Sequence, residues 1–148
     1  MIDKNSHILI ISTSWYMDYI NNMVDISMEV IRNQKFNGIE LKTEVYKVPG
    51  SLELAQLASH KMLYGGRGSN CVGIILHGIV IRGETSHYDL VTQETFRSIG
   101  ALAEKFEYVA IINNVICVEN ENQLKERLEK NTKNNTKGLI ELIRAKEL

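Results

Sequence analysis

The sequence predicts an α/β protein in which four parallel strands form a sheet covered by helices on both faces. Short apolar runs alternate with amphipathic stretches of helical spacing, an order typical of right-handed β-α-β crossovers. The run at residues 71–76 is apolar without interruption, as expected of a strand that is buried on both faces. The chain has 148 residues, which fits a single domain over residues 1–148.

The first half of the chain contains two predicted β-α units. Residues 7–12 are predicted as a buried strand, and residues 40–46 as a second strand because their polar and apolar residues alternate. Residues 18–34 and 51–64 are predicted helices, since apolar residues recur at three- and four-residue spacing and glycine follows each stretch.

The second half repeats this pattern and then departs from it. A helix is predicted over residues 88–106 and the fourth strand over 108–118. Two shorter helices are predicted at about 122–130 and 137–146. They are separated by the polar stretch NTKNNT at residues 131–136, whose asparagines and threonines are poor helix formers.

Composition excludes several classes of partner and compartment. The net charge is −1, which does not favour a nucleic acid or an anionic membrane surface as a partner. Cys71 and Cys117 lie in apolar contexts and are predicted to be buried free thiols, although the sequence leaves a disulfide open. No signal peptide or membrane-length apolar run is recognised, so we expect a cytoplasmic protein.

The sequence gives no support to a metal site or a dinucleotide site. The four histidines have neither HxxH nor HExxH spacing, and the GxGxxG pattern is absent. We therefore expect no metal and no cofactor. His60, on a predicted helix, and His77, at the predicted end of the third strand, are interpreted as structural residues.

Ligands of open parallel sheets bind outside the carboxyl ends of the strands. The segment GIVIRGETSH at residues 78–87 follows the most apolar strand and precedes the clearest helix. Its backbone amides and the hydroxyls of Thr85 and Ser86 outline an anion site, although the P-loop pattern is missing. His87 could transfer protons near neutral pH; the alternative is an exposed histidine at a helix start.

Three other residues have both a functional and a structural interpretation. Trp15, after the first strand, could stack on a flat heterocycle or simply pack. Glu53 follows the only proline of the chain in VPGSLE, and could contact a ligand or interact with a helix dipole. Arg127 could bind a phosphate or belong to a solvated helix face with i,i+4 pairs.

Five segments in the same order resemble the 6,7-dimethyl-8-ribityllumazine synthase family over nearly the whole chain. The most specific is GIVIRGETSHYDLVTQE at residues 78–94. The others are VPGSLELAQLA at 48–58, VENENQLKERL at 118–128, TKGLIE at 136–141, and STSWY, whose tryptophan stands where the family has an aromatic residue.

This resemblance implies a flavodoxin-like three-layer α/β/α sandwich with a four-stranded parallel sheet. It implies that 5-amino-6-(D-ribitylamino)uracil condenses with 3,4-dihydroxy-2-butanone 4-phosphate, releasing phosphate and water. This is the penultimate step of riboflavin biosynthesis, and it requires neither a redox cofactor nor a metal.

The resemblance also implies a role for each site residue. His87 is expected to transfer protons. The phosphate is expected to bind Glu84, Thr85 and Arg127, with help from Lys137. The pyrimidine and its ribityl chain are expected to contact eight residues: Trp15, Ser51, Leu52, Glu53, Ile79, Val80, Ile81 and Asn113.

The family's site lies between adjacent subunits, so Asn113, Arg127 and Lys137 are expected to come from one subunit and the other residues from its neighbour. The expected assembly is a homopentamer, which some family members extend to a 60-subunit shell. The polar stretch 131–136, which links two predicted helices, is slightly longer than in shell-forming relatives and the N-terminus is short, and both observations favour a free pentamer. Riboflavin synthase is an additional expected partner.

Two positions depart from the family pattern. Thr136 replaces an asparagine, and Ile140 stands where the family has an acidic residue, with Glu141 one place later. The Ile140 substitution motivates an alternative, namely a flavin- or lumazine-binding scaffold that has lost catalysis. A receiver-type signalling domain is a second alternative, but it would need acidic residues after the first strand, where the sequence has TSW.

Overall fold

The computed structural model describes residues 2–65, 70–84 and 86–147, and only the backbone of residue 84. Four strands and four α-helices alternate along this part of the chain, with two short 3-10 turns. In chain order they are β1 (Ser6–Thr13), α1 (Met17–Arg32), β2 (Lys42–Val48), a 3-10 turn (Ser51–Glu53), α2 (Leu54–Tyr64), β3 (Asn70–Ile81), a second 3-10 turn (Arg82–Glu84), α3 (Tyr88–Lys105), β4 (Ala110–Val118) and α4 (Glu121–Lys146).

The strands form one parallel sheet in the order β2-β1-β3-β4. Helices α1 and α4 cover one face and bury residues such as Met23 and Leu124 against it. Helices α2 and α3 cover the other face with residues such as Leu54 and Ile99. The α/β prediction of a four-stranded parallel sheet between two helical layers is therefore confirmed.

Strand β1 shows why the apolar runs are continuous. Ile8 and Ile10 face α1 and α4, whereas Leu9 and Ile11 face α2 and α3. All four side chains are at most 3% exposed. A strand with both faces covered has no polar face, and so its sequence does not alternate.

Gly73 allows α4 to pack closely against β3. A Cβ atom built on Gly73 would lie 2.9 Å from Ile143 Cδ1 and 3.1 Å from Leu139 Cδ1. A side chain at this position would displace these two side chains or move the helix, because packed interiors tolerate little extra volume.

The third strand extends further than the sequence predicted. The apolar run suggested a strand that stops near residue 76, but β3 continues to Ile81. His77 therefore lies within the strand and is completely buried, rather than at the strand end. The interpretation of His77 as a structural residue is therefore retained, and its hydrogen bonds, described below, explain this role.

The prediction of two C-terminal helices was wrong. Residues 121–146 form the single 26-residue helix α4, which passes through NTKNNT without a break. Thr132 and Thr136 lie on the buried side of this helix, and the Thr136 hydroxyl donates to the Thr132 carbonyl oxygen at 2.7 Å. The hydroxyls of Thr132 and Thr136 also form hydrogen bonds with Asn114 and Ser27 of other elements, and these tertiary hydrogen bonds override a weak local propensity. One of the two grounds for a free pentamer, the longer link between two separate helices, is thereby removed, and the free pentamer stays a prediction.

The buried face of α4 takes part in a hydrogen-bonded cluster that we call the His77 network. Asn114 Nδ2 donates to His77 Nδ1 at 2.8 Å and to Thr132 Oγ1 at 3.0 Å. Ser27 Oγ lies 3.0 Å from His77 Nε2 and 2.8 Å from Thr136 Oγ1. Since Nδ1 accepts, Nε2 carries the proton and donates it to Ser27. The network therefore connects β3, β4, α1 and α4.

Acid should weaken the fold through His77. Burial lowers the pKa of His77 from 6.5 to about 3, so below pH 6.5 the unfolded chain binds a proton that the folded chain excludes. Stability is therefore lost as the pH falls from 6.5 to about 3, by about 1.4 kcal/mol per pH unit from this residue. Urea denaturation at a series of pH values measures that slope. His77→Gln keeps a donor and an acceptor but does not titrate, and an equally steep slope in this variant would contradict the assignment.

Candidate active site

A cleft of about 370 Å³ opens at the carboxyl ends of β1 and β3. This is the point where the chain connections turn to opposite sides of the sheet, which is where open α/β sheets bind ligands. Its wall is mostly apolar, and Glu53 is the one charged side chain among the described residues that line it. The lining residues are Trp15, Tyr16, Gly50, Ser51, Leu52, Glu53, Ile79, Val80, Ile81 and Val91.

Strand β3 extends beyond its neighbour at this cleft. The pairing of β1 with β3 ends at Ser12 and His77, whereas the pairing of β3 with β4 continues to Ile81 and Val118. Residues 78–81 therefore have no strand partner on the β1 side. Backbone amides and carbonyls need hydrogen-bond partners, and those of residues 78–81 are available to a bound molecule on that side.

Gly50 brings two of the predicted site residues together. A Cβ atom built on Gly50 would lie 3.3 Å from Glu53 Oε1 and 3.7 Å from Trp15 Nε1. The indole and the carboxylate therefore flank the same piece of backbone. This arrangement places an aromatic ring and a hydrogen-bond acceptor side by side in the cleft.

Gly78 seats the 3-10 turn on the sheet. A Cβ atom at Gly78 would lie 3.1 Å from Ser51 Oγ and 3.4 Å from Thr13 Cγ2. A side chain at this position would force Ser51 or Thr13 to shift, so glycine favours the close approach of Ser51 to β3. The turn that carries Ser51, Leu52 and Glu53 is fixed in this way.

Tyr16 lines the cleft and was not predicted from the sequence. Its φ of 57° and ψ of 54° place it in the left-handed region, immediately before α1. A tyrosine in this conformation carries strain of about 1–3 kcal/mol. The sharp turn leaves the Trp15 side chain 67% exposed at the mouth of the cleft. No sequence signal marks a non-glycine residue for this conformation.

Arg82 connects the ends of three elements beside the cleft. Its Nε donates to Glu119 Oε2 at 2.8 Å, and one terminal nitrogen donates to Asp89 Oδ1 at 3.3 Å. Its guanidinium carbon also lies 4.2 Å from the centre of the Tyr88 ring. Arg82 therefore links the end of β3 to the residue after β4 and to the first turn of α3.

His87 lies in a separate depression. It is exposed at the N-cap position of α3, within a cavity of about 300 Å³ lined also by Arg82, Ser86, Tyr88, Asp89 and Leu90. Thr85 lies outside the described residues. Glu84 ends the second 3-10 turn, and its side chain is likewise outside the described part. The structure therefore leaves their predicted contacts with phosphate untested.

Two predicted site residues lie away from the cleft within one chain. Asn113 is half-buried on β4, where its Oδ1 accepts a hydrogen bond from the Val115 amide at 2.8 Å. Arg127 is exposed on α4. The chain thus brings seven predicted residues to one cleft, whereas His87, Asn113 and Arg127 are not among its lining residues. The seven are Trp15, Ser51, Leu52, Glu53, Ile79, Val80 and Ile81.

The described ranges contain neither a metal-binding cluster nor a membrane-spanning helix. No three His, Cys, Asp or Glu side chains in residues 2–65, 70–84 and 86–147 are grouped so that they could hold a metal ion. None of the helices in those ranges has both the length and the apolarity to cross a membrane.

A mostly apolar cleft with a few polar groups, at the switch point of a parallel sheet, defines an α/β protein that binds a small molecule. Comparison with known proteins specifies the class. The family model for 6,7-dimethyl-8-ribityllumazine synthase matches residues 5–146. The chain belongs to this family.

Curated relatives agree with the family model. A 6,7-dimethyl-8-ribityllumazine synthase 1 from Rhizobium meliloti is 32% identical over 81% of this chain and 75% of its own length. The enzymes of that name from Agrobacterium fabrum and Sphingopyxis alaskensis are 34% and 33% identical, each over 86% of this chain and over 82% and 83% of their lengths. The predicted family and the predicted enzymatic function in riboflavin biosynthesis are confirmed.

Trp15 provides a direct test of the cleft, because it is the only tryptophan of the chain. We expect its fluorescence to change when a substituted uracil stacks on it. Gly50→Val should weaken this binding by about tenfold, equivalent to about 1.4 kcal/mol, since its side chain would enter the space beside Trp15 and Glu53. Fluorescence titration of both proteins measures the ratio. Gly100→Ala on α3 is the control, as the Cβ position of Gly100 has no atom within 4 Å. Equal affinity in the Gly50 variant would show that the ligand binds elsewhere.

Proposed function

We propose that this chain, as one domain over residues 1–148, uses this cleft to condense 5-amino-6-(D-ribitylamino)uracil with 3,4-dihydroxy-2-butanone 4-phosphate. The 5-amino group attacks the ketone of the phosphate ester, phosphate and water leave, and the lumazine ring closes. The observation that carries this proposal is the meeting of seven predicted residues in one cleft of a chain that belongs to the family.

The cleft suits the pyrimidine and its ribityl chain. The exposed indole of Trp15 offers a stacking surface for the flat ring. The backbone at Ile79, Val80 and Ile81, which lacks a strand partner on the β1 side, offers hydrogen bonds to ring amides and carbonyls. Glu53 and Ser51 can bind ribityl hydroxyl groups. These contacts hold one substrate in place for attack on the other.

The phosphate requires a cation that the cleft of one chain does not supply. Neither lysine nor arginine is among the described residues that line it. A dianion that develops into a leaving group is stabilised by a fixed guanidinium and by oriented amides. We assign these roles to Arg127 and to the segment with Glu84 and Thr85, and the proton transfers to His87.

These assignments support a site shared between subunits of a homopentamer. Arg127 and Asn113 lie away from the cleft of their own chain, so a neighbouring chain would bring them to it. Leu52, Leu90 and Phe96 are 46%, 67% and 48% exposed, and large apolar side chains exposed in this way are typical of surfaces that become buried on association. The continuous α4, which has no bend at residues 131–136, gives no preference between a free pentamer and a 60-subunit shell.

The continuous α4 also limits the role of Lys137. At a rise of 1.5 Å per residue, Lys137 lies about 15 Å from Arg127 along the helix axis. A single phosphate is therefore assigned to Arg127, and Lys137 is left without a role in this proposal.

This chain has no carboxylate at the position of the family's acidic residue, and the carboxylate of the next residue lies on a different side of the helix. Ile140 is 4% exposed in the core, and the side chain of Glu141 is exposed. If His87 acts in catalysis, it does so without this carboxylate in its own chain. This departure is the observation that a scaffold without catalysis has in its favour, whereas membership of the family favours the enzyme.

We further propose that the enzyme works in the cytoplasm, since Cys71 and Cys117 are free thiols, and half-burial raises the pKa of each to about 11. Riboflavin synthase, which would consume the product, is the partner that this placement suggests.

The reaction can be followed directly by lumazine absorbance above the uncatalysed background. We expect Arg127→Ala to lower kcat/KM by about 10²–10³-fold, because it removes the cation that stabilises the departing phosphate. His87→Ala should lower kcat by about 10²-fold, the usual contribution of an acid-base residue. The matched controls are Lys130→Ala on α4 and His60→Ala on α2, which should leave the rate unchanged. A background rate in a correctly assembled protein would favour the binding scaffold.

Sedimentation tests the assembly. Five copies of the 16.8 kDa chain give a particle of about 84 kDa. We expect this species, and we expect dilution into monomers to abolish activity because each site then loses Arg127 of its neighbour. An active monomer would refute the shared site, whereas a particle near a megadalton would indicate the shell.

A further inference from the structure

The His77 network is positioned to control where α4 lies on the sheet. It contacts α4 at Thr132, at Thr136 and through Asn135, whose Nδ2 donates to Asn114 Oδ1 at 2.7 Å. These three positions lie in the middle of a 26-residue helix, roughly one to three turns beyond Arg127. Most other buried contacts of α4 are made by leucine and isoleucine side chains such as Leu128 and Leu139.

Hydrogen bonds and apolar contacts constrain a helix differently. Apolar contacts are non-directional, so they specify the rotation and axial position of a helix less sharply than hydrogen bonds do. A hydrogen bond fixes both the distance and the angle between its partners. A buried network that loses one bond leaves polar groups unsatisfied, so it permits only one rotation and one axial position of the helix.

Every described hydrogen bond of the network can form at the same time with one arrangement of protons. Thr136 donates to the Thr132 carbonyl oxygen, so Ser27 must donate to Thr136 and accept from His77 Nε2. Asn114 uses both protons of its amide nitrogen, and its oxygen accepts from Asn135. Since burial keeps His77 neutral, this arrangement persists throughout the neutral pH range.

We propose that His77 is a positioning residue: through Asn114, Ser27, Thr132 and Thr136 it fixes α4 on the sheet and so sets where Arg127 presents its guanidinium. The Thr136 departure from the family pattern gains an explanation, because its hydroxyl connects α4 to Ser27 and His77. The inference rests on the proposed function only for the role of Arg127.

The test compares His77→Leu, which leaves Asn114 and Ser27 without partners, with His77→Gln, which can replace both bonds. Leu102→Ala is the control for stability, because Leu102 is also buried but lies on α3, on the opposite face of the sheet.

We expect His77→Leu to raise the inhibition constant of inorganic phosphate and the KM of the butanone phosphate by about tenfold, as when a charge-assisted hydrogen bond is lost. The KM of the aminopyrimidine should change by less than about twofold. His77→Gln should resemble the parent protein, and Leu102→Ala should alter neither constant.

Equal increases in both KM values, or the same phosphate effect in Leu102→Ala, would overturn the proposal. If His77→Leu does not assemble, Thr132→Val removes one hydroxyl from the network at nearly constant volume and should give a smaller effect in the same direction.

Amide hydrogen exchange over residues 124–137 adds a readout that needs no substrate. Faster exchange in the network variants than in Leu102→Ala supports the proposal, and unchanged exchange overturns it. Arg127→Ala with unaltered phosphate inhibition would instead refute the phosphate assignment under the proposed function, while exchange would still decide the role of His77.

Discussion

The candidate site depends on one feature of strand pairing: β3 continues past the point where β1 stops. Because β4 pairs with the outer side of β3 as far as Ile81, the extension remains part of the sheet while its β1 side is left without a strand partner. The space beside it is closed by the turn after β1 and by the 3-10 turn after β2. Gly78 and Gly50 provide the clearance that both turns need. The cleft is therefore a product of strand lengths as much as of its side chains.

The layered fold could be predicted because strands covered on both faces read as continuous apolar runs, and helices between them show a clear apolar stripe. The approximate location of the site could be predicted, because binding and catalytic residues of such sheets lie just after the strands. The individual residues and their roles could be predicted only through the family resemblance. Seven of those residues meet in the cleft. The roles of His87, Asn113 and Arg127 stay predictions, because one chain does not bring them to it.

The features that sequence reasoning missed share a physical cause. The helical state of NTKNNT, the burial of His77 and the left-handed backbone at Tyr16 all depend on contacts between distant parts of the chain. Thr132 and Thr136 are weak helix formers when considered locally, yet Asn114 and Ser27 give their hydroxyls partners inside the protein. Local propensity contributes a few tenths of a kilocalorie per residue, whereas an unsatisfied buried polar group costs about 1–3 kcal/mol. The need to satisfy the buried hydroxyls therefore outweighs the local preference, and the helix continues.

The charge of Glu53 would affect which position within one site each of two unlike substrates can occupy. It is the one charged side chain among the described lining residues of the cleft, and it is negative. A phosphate ester that entered the pyrimidine position would meet a like charge and no cation, whereas the uncharged pyrimidine meets no such barrier. In the proposed reaction the carboxylate would thus distinguish the two substrates by charge. Misplaced binding of the ester at the pyrimidine position, which would block the site from both substrates, would be disfavoured by the same charge.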